Sequence, residues 1–143
     1  MDFFTAMTVS SSALTAERTR INLISSNLAN ANSTRSVDGG AYKRKDAVFA
    51  ATPITEPFAK VFNKARGLEK VEVTSIVEDS APPRIQYDPS HPDADPQGYV
   101  SLPNVNVIEE MADMISATRT YEANVTAAQA AKSMAMKTLE LGR

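Results

Sequence analysis

Cysteine is absent from the 143 residues, which removes disulfide frameworks, thiolate zinc sites and cysteine nucleophiles together. Histidine occurs once, as His91, and no glycine-rich phosphate loop or nucleophile elbow accompanies it, so triad chemistry and nucleotide hydrolysis have no supporting constellation. Charge of either sign is nearly balanced, with a formal net charge of -2. Bulk electrostatics therefore gives no reason to expect nucleic acid or an anionic membrane surface as partner. No apolar run approaches the roughly 20 residues that span a bilayer. The start, Met1 to Met7, lacks a cationic leader followed by a continuous apolar stretch, so no cleaved secretory signal is expected. These absences together lead us to expect a protein that is not an enzyme and holds no cofactor or metal.

Hydrophobic residues make up 43% and charged residues 22%, proportions of an ordinary folded protein, so global disorder is not expected. The length suits one modest body with extended appendages. Proline divides the chain: all eight fall between Pro53 and Pro103, and each would cost a helix interior about 3 kcal/mol. Both ends are thereby left open to long helices.

The first segment, from about Phe3 to Asn32, carries neither Pro nor Gly. Phe3, Met7, Leu14, Ile21, Ile24 and Leu28 follow a narrow 3-4 seam, interrupted at Ser10 and Glu17. Such a stripe resembles the seam of a coiled coil more than the broad apolar face of a helix sunk in a core. The last segment, from about Val105 to Leu141, reads Val107, Met111, Met114, Thr118, Tyr121, Val125, Ala128, Lys132, Ala135 and Leu139 in steps of four and three, sustained over several heptads. Alanines at 127, 128, 130 and 131 permit close helix approach. Glu109, Glu110 and Asp113 come early while Lys132, Lys137 and Arg143 come late, the order the helix dipole favours. Asn104 or Asn106 can supply the N-cap, and Gly142 marks the stop.

Between the helices, Tyr42–Ala50, Lys70–Val77, Arg84–Tyr87 and Tyr99–Leu102 are rich in β-branched and aromatic residues and predict short strands. Gly39-Gly40, Pro82-Pro83 and the stretch Asp88–Gly98 punctuate them as turns. Residues 53–69 are ambiguous, and the piece Phe58–Phe62 is compatible with helix, strand or loop.

A lone helix with a narrow apolar stripe gains little in water, because nucleation is costly and packing supplies most helical stability. Each terminal helix needs a partner, and the nearest is the other one. The expected fold is mainly α with a small β region: an antiparallel, coiled-coil-like pair of long terminal helices (1–34 and 104–143) and a short-stranded middle segment (35–103). A two-helix ribbon leaves flanks bare, and Leu23, Ile108, Ile115, Met134 and Met136 are candidate contact surfaces there. The plainer alternative is an ordinary core helix at each end, which periodicity alone does not exclude.

His91 stands among Asp88, Asp93 and Asp95, donor types that suit several divalent ions, but prolines 89, 92 and 96 constrain the segment and nothing completes a shell. A calcium-loop match beginning at Asp93 fails at its twelfth position, Asn104, where a bidentate Glu is required. These aspartates are better read as turn formers that accept backbone N–H bonds. Lys43-Arg44-Lys45 is the tightest basic run and reads as a solvated strand face.

The run Ile24-Ser25-Ser26-Asn27-Leu28-Ala29-Asn30-Ala31-Asn32-Ser33, followed by Gly39-Gly40-Ala41-Tyr42-Lys43-Arg44, resembles the signature of the flagellar rod and hook family. Glu109–Ile115 and Arg119–Asn124, closing with Lys137-Thr138-Leu139, look like that family's C-terminal helix. Tyr87–Asp95, Gly98-Tyr99-Val100 and Pro103-Asn104-Val105 resemble the middle segment of its proximal-rod members. Only the stretch from about Thr52 to Gly67 matches nothing in the pattern. Many relatives carry a Thr-Pro-Gly-Tyr turn after the asparagines, whereas Ser33 to Ala41 is a longer connection without proline, a lengthening typical of the proximal-rod branch. The asparagines 27, 30 and 32 also have a reading independent of family, since they can bond backbone at a helix end and tolerate left-handed conformations.

The resemblance implies a structural subunit that assembles with other rod subunits, proximal and distal, and with the export gate or MS-ring junction, as a homo- and hetero-oligomer in a helical tube. It implies a periplasmic rod reached by flagellar export without signal cleavage, and termini disordered in the free monomer. The expected assembly interface is Met7, Leu14, Ile21, Ile24, Asn27, Leu28, Asn30, Val107, Met111, Met114, Tyr121, Val125 and Leu139. The alternative is a soluble helical adaptor or export chaperone that binds partners through the same Met-rich seam.

Overall fold

The computed structural model describes residues 3–36, 39–54 and 69–142. Helix α1 spans Phe3–Ala29, strands β1 and β2 span Lys45–Pro53 and Glu69–Glu78, β3 and β4 span Arg84–Tyr87 and Tyr99–Leu102, and helix α2 spans Val107–Leu141. The expected architecture is the one found: two long helices enclose a small antiparallel β region. At 1.5 Å per residue α1 is about 40 Å long and α2 about 52 Å.

The two helices pack antiparallel, and the end of α1 meets the start of α2 where Asn27 bonds Glu110. Further along the pair, Arg20 lies 3.7 Å from Asp113. Helix α1 ends because asparagine offers its backbone an alternative: the Asn30 side chain donates to the Ser26 carbonyl at 2.9 Å, and Asn30 in turn accepts from the Ser33 hydroxyl at 3.1 Å. No described non-glycine residue has a positive φ, so these asparagines act through their amides and not through left-handed backbone. Helix α2 starts at Asn106, in extended conformation, whose side chain accepts from the Ile108 N–H at 3.1 Å. Of the two candidate caps it is therefore Asn106, and not Asn104, that serves.

Strands β1 and β2 form an antiparallel hairpin ladder from Lys45 opposite Glu78 to Pro53 opposite Glu69, with a bulge between Val48 and Phe49. The ladder begins three residues later than the sequence suggests, because Tyr42 and Arg44 turn their side chains toward the helices. This hairpin lies along α1, where the Val71 N–H donates to the Ser12 hydroxyl at 3.2 Å and Lys45 bonds Asn27. Ala16 stands three turns before Asn27 on the same side of α1, and both are buried. Helix α1 thus has α2 on one side and the hairpin on another. The Phe58–Phe62 piece lies outside the described residues.

Strands β3 and β4 pair from Arg84 opposite Leu102 to Tyr87 opposite Tyr99, with the two tyrosine rings in edge contact at 5.3 Å. Their connection is closed by the aspartates, as expected of turn formers. Asp95 accepts from the N–H groups of Gln97 and Tyr99 at 2.9 and 2.8 Å, and Asp88 accepts from the Ser90 N–H and hydroxyl at 3.1 and 2.7 Å. Gly98 has φ of 83°, and a Cβ there would sit 2.9 Å from the Tyr87 ring. Gly98→Ala is expected to cost about 1 to 2 kcal/mol from the left-handed backbone alone and to displace Tyr87. A lowered thermal midpoint and changed tyrosine fluorescence check it.

The hydrophobic core is thin and alanine-rich: Ala16, Ile24, Ala31, Val100, Val105, Ala117 and Ala131 are buried. Alanines let helices approach closely but each withdraws little apolar area, at about 25 cal/mol per Å². The inward stripe of α2 passes through Glu110, Met114, Ala117, Tyr121, Val125, Ala128, Ala131 and Ala135. It departs from the heptad seam at Val107, Met111, Thr118, Lys132 and Leu139, which are exposed. Small size and a buried charge select the packed face here, and hydropathy does not.

Candidate functional site

Where the end of α1 meets the start of α2, four side chains from three segments converge on a polar hub. Asn27 is 1% exposed and uses its whole amide. Its nitrogen donates to the Lys45 carbonyl at 2.9 Å and to Glu110 Oε2 at 3.1 Å. Its oxygen accepts from the Lys45 N–H and the Tyr42 hydroxyl, both at 3.0 Å. Glu110, also 1% exposed, receives Arg44 Nε on Oε1 at 2.6 Å. Arg44 reaches Asp46 at 3.2 Å with a second nitrogen. Burial works against the Arg44 charge, but hydrogen bonds to Glu110 and Asp46 outweigh it and raise its pKa above the usual guanidinium value. A charge-assisted bond of this length is among the stronger ones a protein makes, and an unpaired buried carboxylate would be costly. The hub therefore locks α1, the start of β1 and α2 in one register.

A second, more exposed tie fastens the β3–β4 connection to the segment after α1. Asp93 accepts from the Thr34 hydroxyl at 2.7 Å and pairs with Arg35. The hydrogen bond from the Thr34 hydroxyl, opposed by desolvation and reinforced by Arg35, holds the Asp93 carboxyl below the usual range. A cleft of about 490 Å³ opens beside this tie, lined by Thr34, Ile85, Asp93, Asp95 and Tyr99 among others. His91 does not line it; its Nδ1 accepts from the Asp93 N–H at 3.1 Å, which is turn chemistry. Among the described residues no group of three or more His, Cys, Asp or Glu is placed to hold a metal ion.

The expected interface residues fall into three groups. Ile24 and Asn27 are buried within the subunit itself. Met7, Leu14, Ile21, Leu28, Asn30, Met114, Tyr121 and Val125 are half-buried along the helix pair. Val107, Met111 and Leu139 are exposed. They are joined on the surface of α2 by Ile108, Ile115, Met134, Met136 and Leu141. Sequence reasoning missed Glu110, Arg44 and Tyr42 as a unit. The Lys43-Arg44-Lys45 run is not uniformly a solvated face, since Arg44 turns inward to meet Glu110.

No described helix is long and apolar enough to cross a membrane. Residues 7–35 match the family model for "Flagella basal body rod protein", and residues 97–141 match that for "Flagellar basal body rod FlgEFG protein C-terminal". The hub takes Asn27 from the first segment and Glu110 from the second. The chain is 44% identical to the flagellar basal-body rod protein FlgC of Borreliella burgdorferi, over 94% of this chain and 93% of that one. It is 43% identical to the FlgC protein of Bacillus subtilis over 100% of both chains. To the FlgC protein of Aquifex aeolicus it is 39% identical over 98% of this chain and 97% of the relative. With nearly all of α1 and the whole of α2 inside the matched segments and identity running nearly from end to end, the chain belongs to the FlgC family of flagellar basal-body rod proteins, the structural rod subunits of the flagellum.

Proposed function

We propose that this rod subunit works by geometry alone, as a block of the proximal rod whose helix pair stacks with neighbours into a hollow shaft that transmits torque. The observation that carries this is the bare face of α2. Ile108 is 79% exposed and Leu139 72% exposed, on a chain whose own core is thin, and exposed apolar surface of this kind marks an interface. Each such side chain, once covered, contributes roughly 1.5 to 3 kcal/mol, so helix order and assembly reinforce each other. Nothing is catalysed in this reading, and no cofactor enters it.

The neighbours are other rod proteins, proximal and distal, and the export gate or MS-ring junction at the base. The subunit reaches its place in the periplasmic rod by flagellar export without a cleaved signal. Val107, Met111 and Leu139 meet those neighbours directly. The half-buried residues from Met7 to Leu28 and from Met114 to Val125 present their open edges, and Ile24, Asn27 and Asn30 hold the helix pair in shape.

Met114→Asp and Leu14→Asp test the proposal. Each puts a carboxylate on a half-buried seam, at a cost of about 2 kcal/mol, and is expected to abolish swimming because the subunit fails to incorporate. Soft-agar motility and electron microscopy of basal bodies are the measurements. Normal filaments with either variant as the only source of this subunit would refute the seams.

A further inference from the structure

Sulfur is distributed unevenly over this molecule. With neither cysteine nor tryptophan in the chain, the methionine thioethers are the side chains that a peroxide oxidises first. The parts that hold the fold contain none of them. No buried residue between Ala16 and Ala131 is a methionine, and the hub is built from Asn27, Tyr42, Arg44 and Glu110. Met7 and Met114 are half-buried, and Met114 stands about one turn before the buried Ala117 on the inward stripe of α2. Met111, Met134 and Met136 are all more than half exposed.

These three exposed thioethers are carried by α2 alone. Met111 and Met136 stand about seven turns apart and so face the same way, on the bare seam with Val107, Thr118 and Leu139. Met134 lies on a different side of the helix, near the exposed Leu141. We infer that Met111, Met134 and Met136 form a modification site, at which oxidation to sulfoxides closes the docking face of α2 and leaves the fold intact. The consequence for docking rests on the rod reading; the selectivity of the oxidation does not.

The co-reactant is a peroxide, of which hydrogen peroxide is the simplest. The thioether sulfur attacks one peroxide oxygen, and the S–O bond forms as the O–O bond breaks. The departing hydroxide takes up the proton left on the transferred oxygen and leaves as water, so the sulfur loses the two electrons that the peroxide gains. A flexible apolar side chain has then become a polar one. In the free subunit water solvates the sulfoxide, because these side chains already stand in solvent. Against an apolar neighbour the same group sheds that water and finds no partner, which opposes docking. The fold escapes this penalty, since its buried contacts hold no sulfur and the half-buried Met7 and Met114 are less open to attack.

Purified subunit treated with dilute hydrogen peroxide and mapped by peptide mass spectrometry is expected to gain oxygen at Met111, Met134 and Met136 about fivefold faster than at Met7 and Met114. Its thermal midpoint by circular dichroism is expected to stay at the untreated value. Equal rates in the two sets overturn the inference, and so does a midpoint that falls as the three exposed sites oxidise. In cells, the combination Met111→Gln, Met134→Gln and Met136→Gln supplies the polarity of the sulfoxides without an oxidant. The matching combination Met111→Leu, Met134→Leu and Met136→Leu keeps the surface apolar. With both triple variants folded by circular dichroism, the glutamine one is expected to lose swimming in soft agar relative to the leucine one. Equal swimming of the two overturns the inference. If Leu14→Asp and Met114→Asp are non-motile in the same assay, the rod reading survives that result.

Discussion

Arg44→Ala is expected to destabilise the subunit by about 3 to 5 kcal/mol, the cost of stranding a buried carboxylate whose partner has gone. Glu110, 1% exposed, keeps only the Asn27 amide in this variant. That loss is a large share of a small protein's total stability, so the variant is also expected to be non-motile. Urea unfolding of the purified subunit measures it. The informative companion is the double variant Arg44→Met with Glu110→Leu, which removes both charges and should recover most of the loss. If Arg44→Ala unfolds at the wild-type midpoint, the ion pair does not hold the helices together.

Asn27→Asp should be comparably severe, although it changes a single atom. The Asn27 nitrogen is the donor to both Glu110 and the Lys45 carbonyl. An aspartate offers those two acceptors only oxygens, and it brings a second negative charge to Glu110 in a site with little water. A loss of about 3 kcal/mol or more is expected from the unpaired acceptors and the like-charge contact. Asn27→Ala strands those two acceptors and also the Lys45 N–H and Tyr42 hydroxyl but adds no charge, and should lose less. Circular dichroism melts of the two variants rank them, and an aspartate variant as stable as the alanine one would show that the electrostatic part is negligible.

Much of the fold was legible because it is written in local signals. The Pro-free and Gly-free ends gave both helices, and β3 and β4 were found at the residues where aromatic and β-branched side chains cluster. Strand β1 was displaced because its first expected residues, Tyr42 to Arg44, belong to the hub instead. The hub was invisible for a physical reason: its partners are 66 and 83 residues apart in the chain, and each has a sufficient local explanation. Glu110 reads as a dipole charge in the first turn of a helix, and Arg44 as one member of a basic run. The packed face of α2 departs from the expected seam at five positions for a related reason, since Ala117 and Ala131 are buried and an alanine carries little weight in an apolar seam. The asparagine cluster stands out in the sequence, but its roles divide: Asn30 ends α1 while Asn27 joins three segments.

The hairpin laid along α1 has a mechanical consequence. Two helices side by side make a flat strip, stiff within its plane and compliant across it. A third rail laid along α1, tied from Ser12 to Asn27, thickens the strip on that side and opposes bending of α1. Load applied as twist is then shared between the seam that joins the helices and the seam that joins α1 to the hairpin.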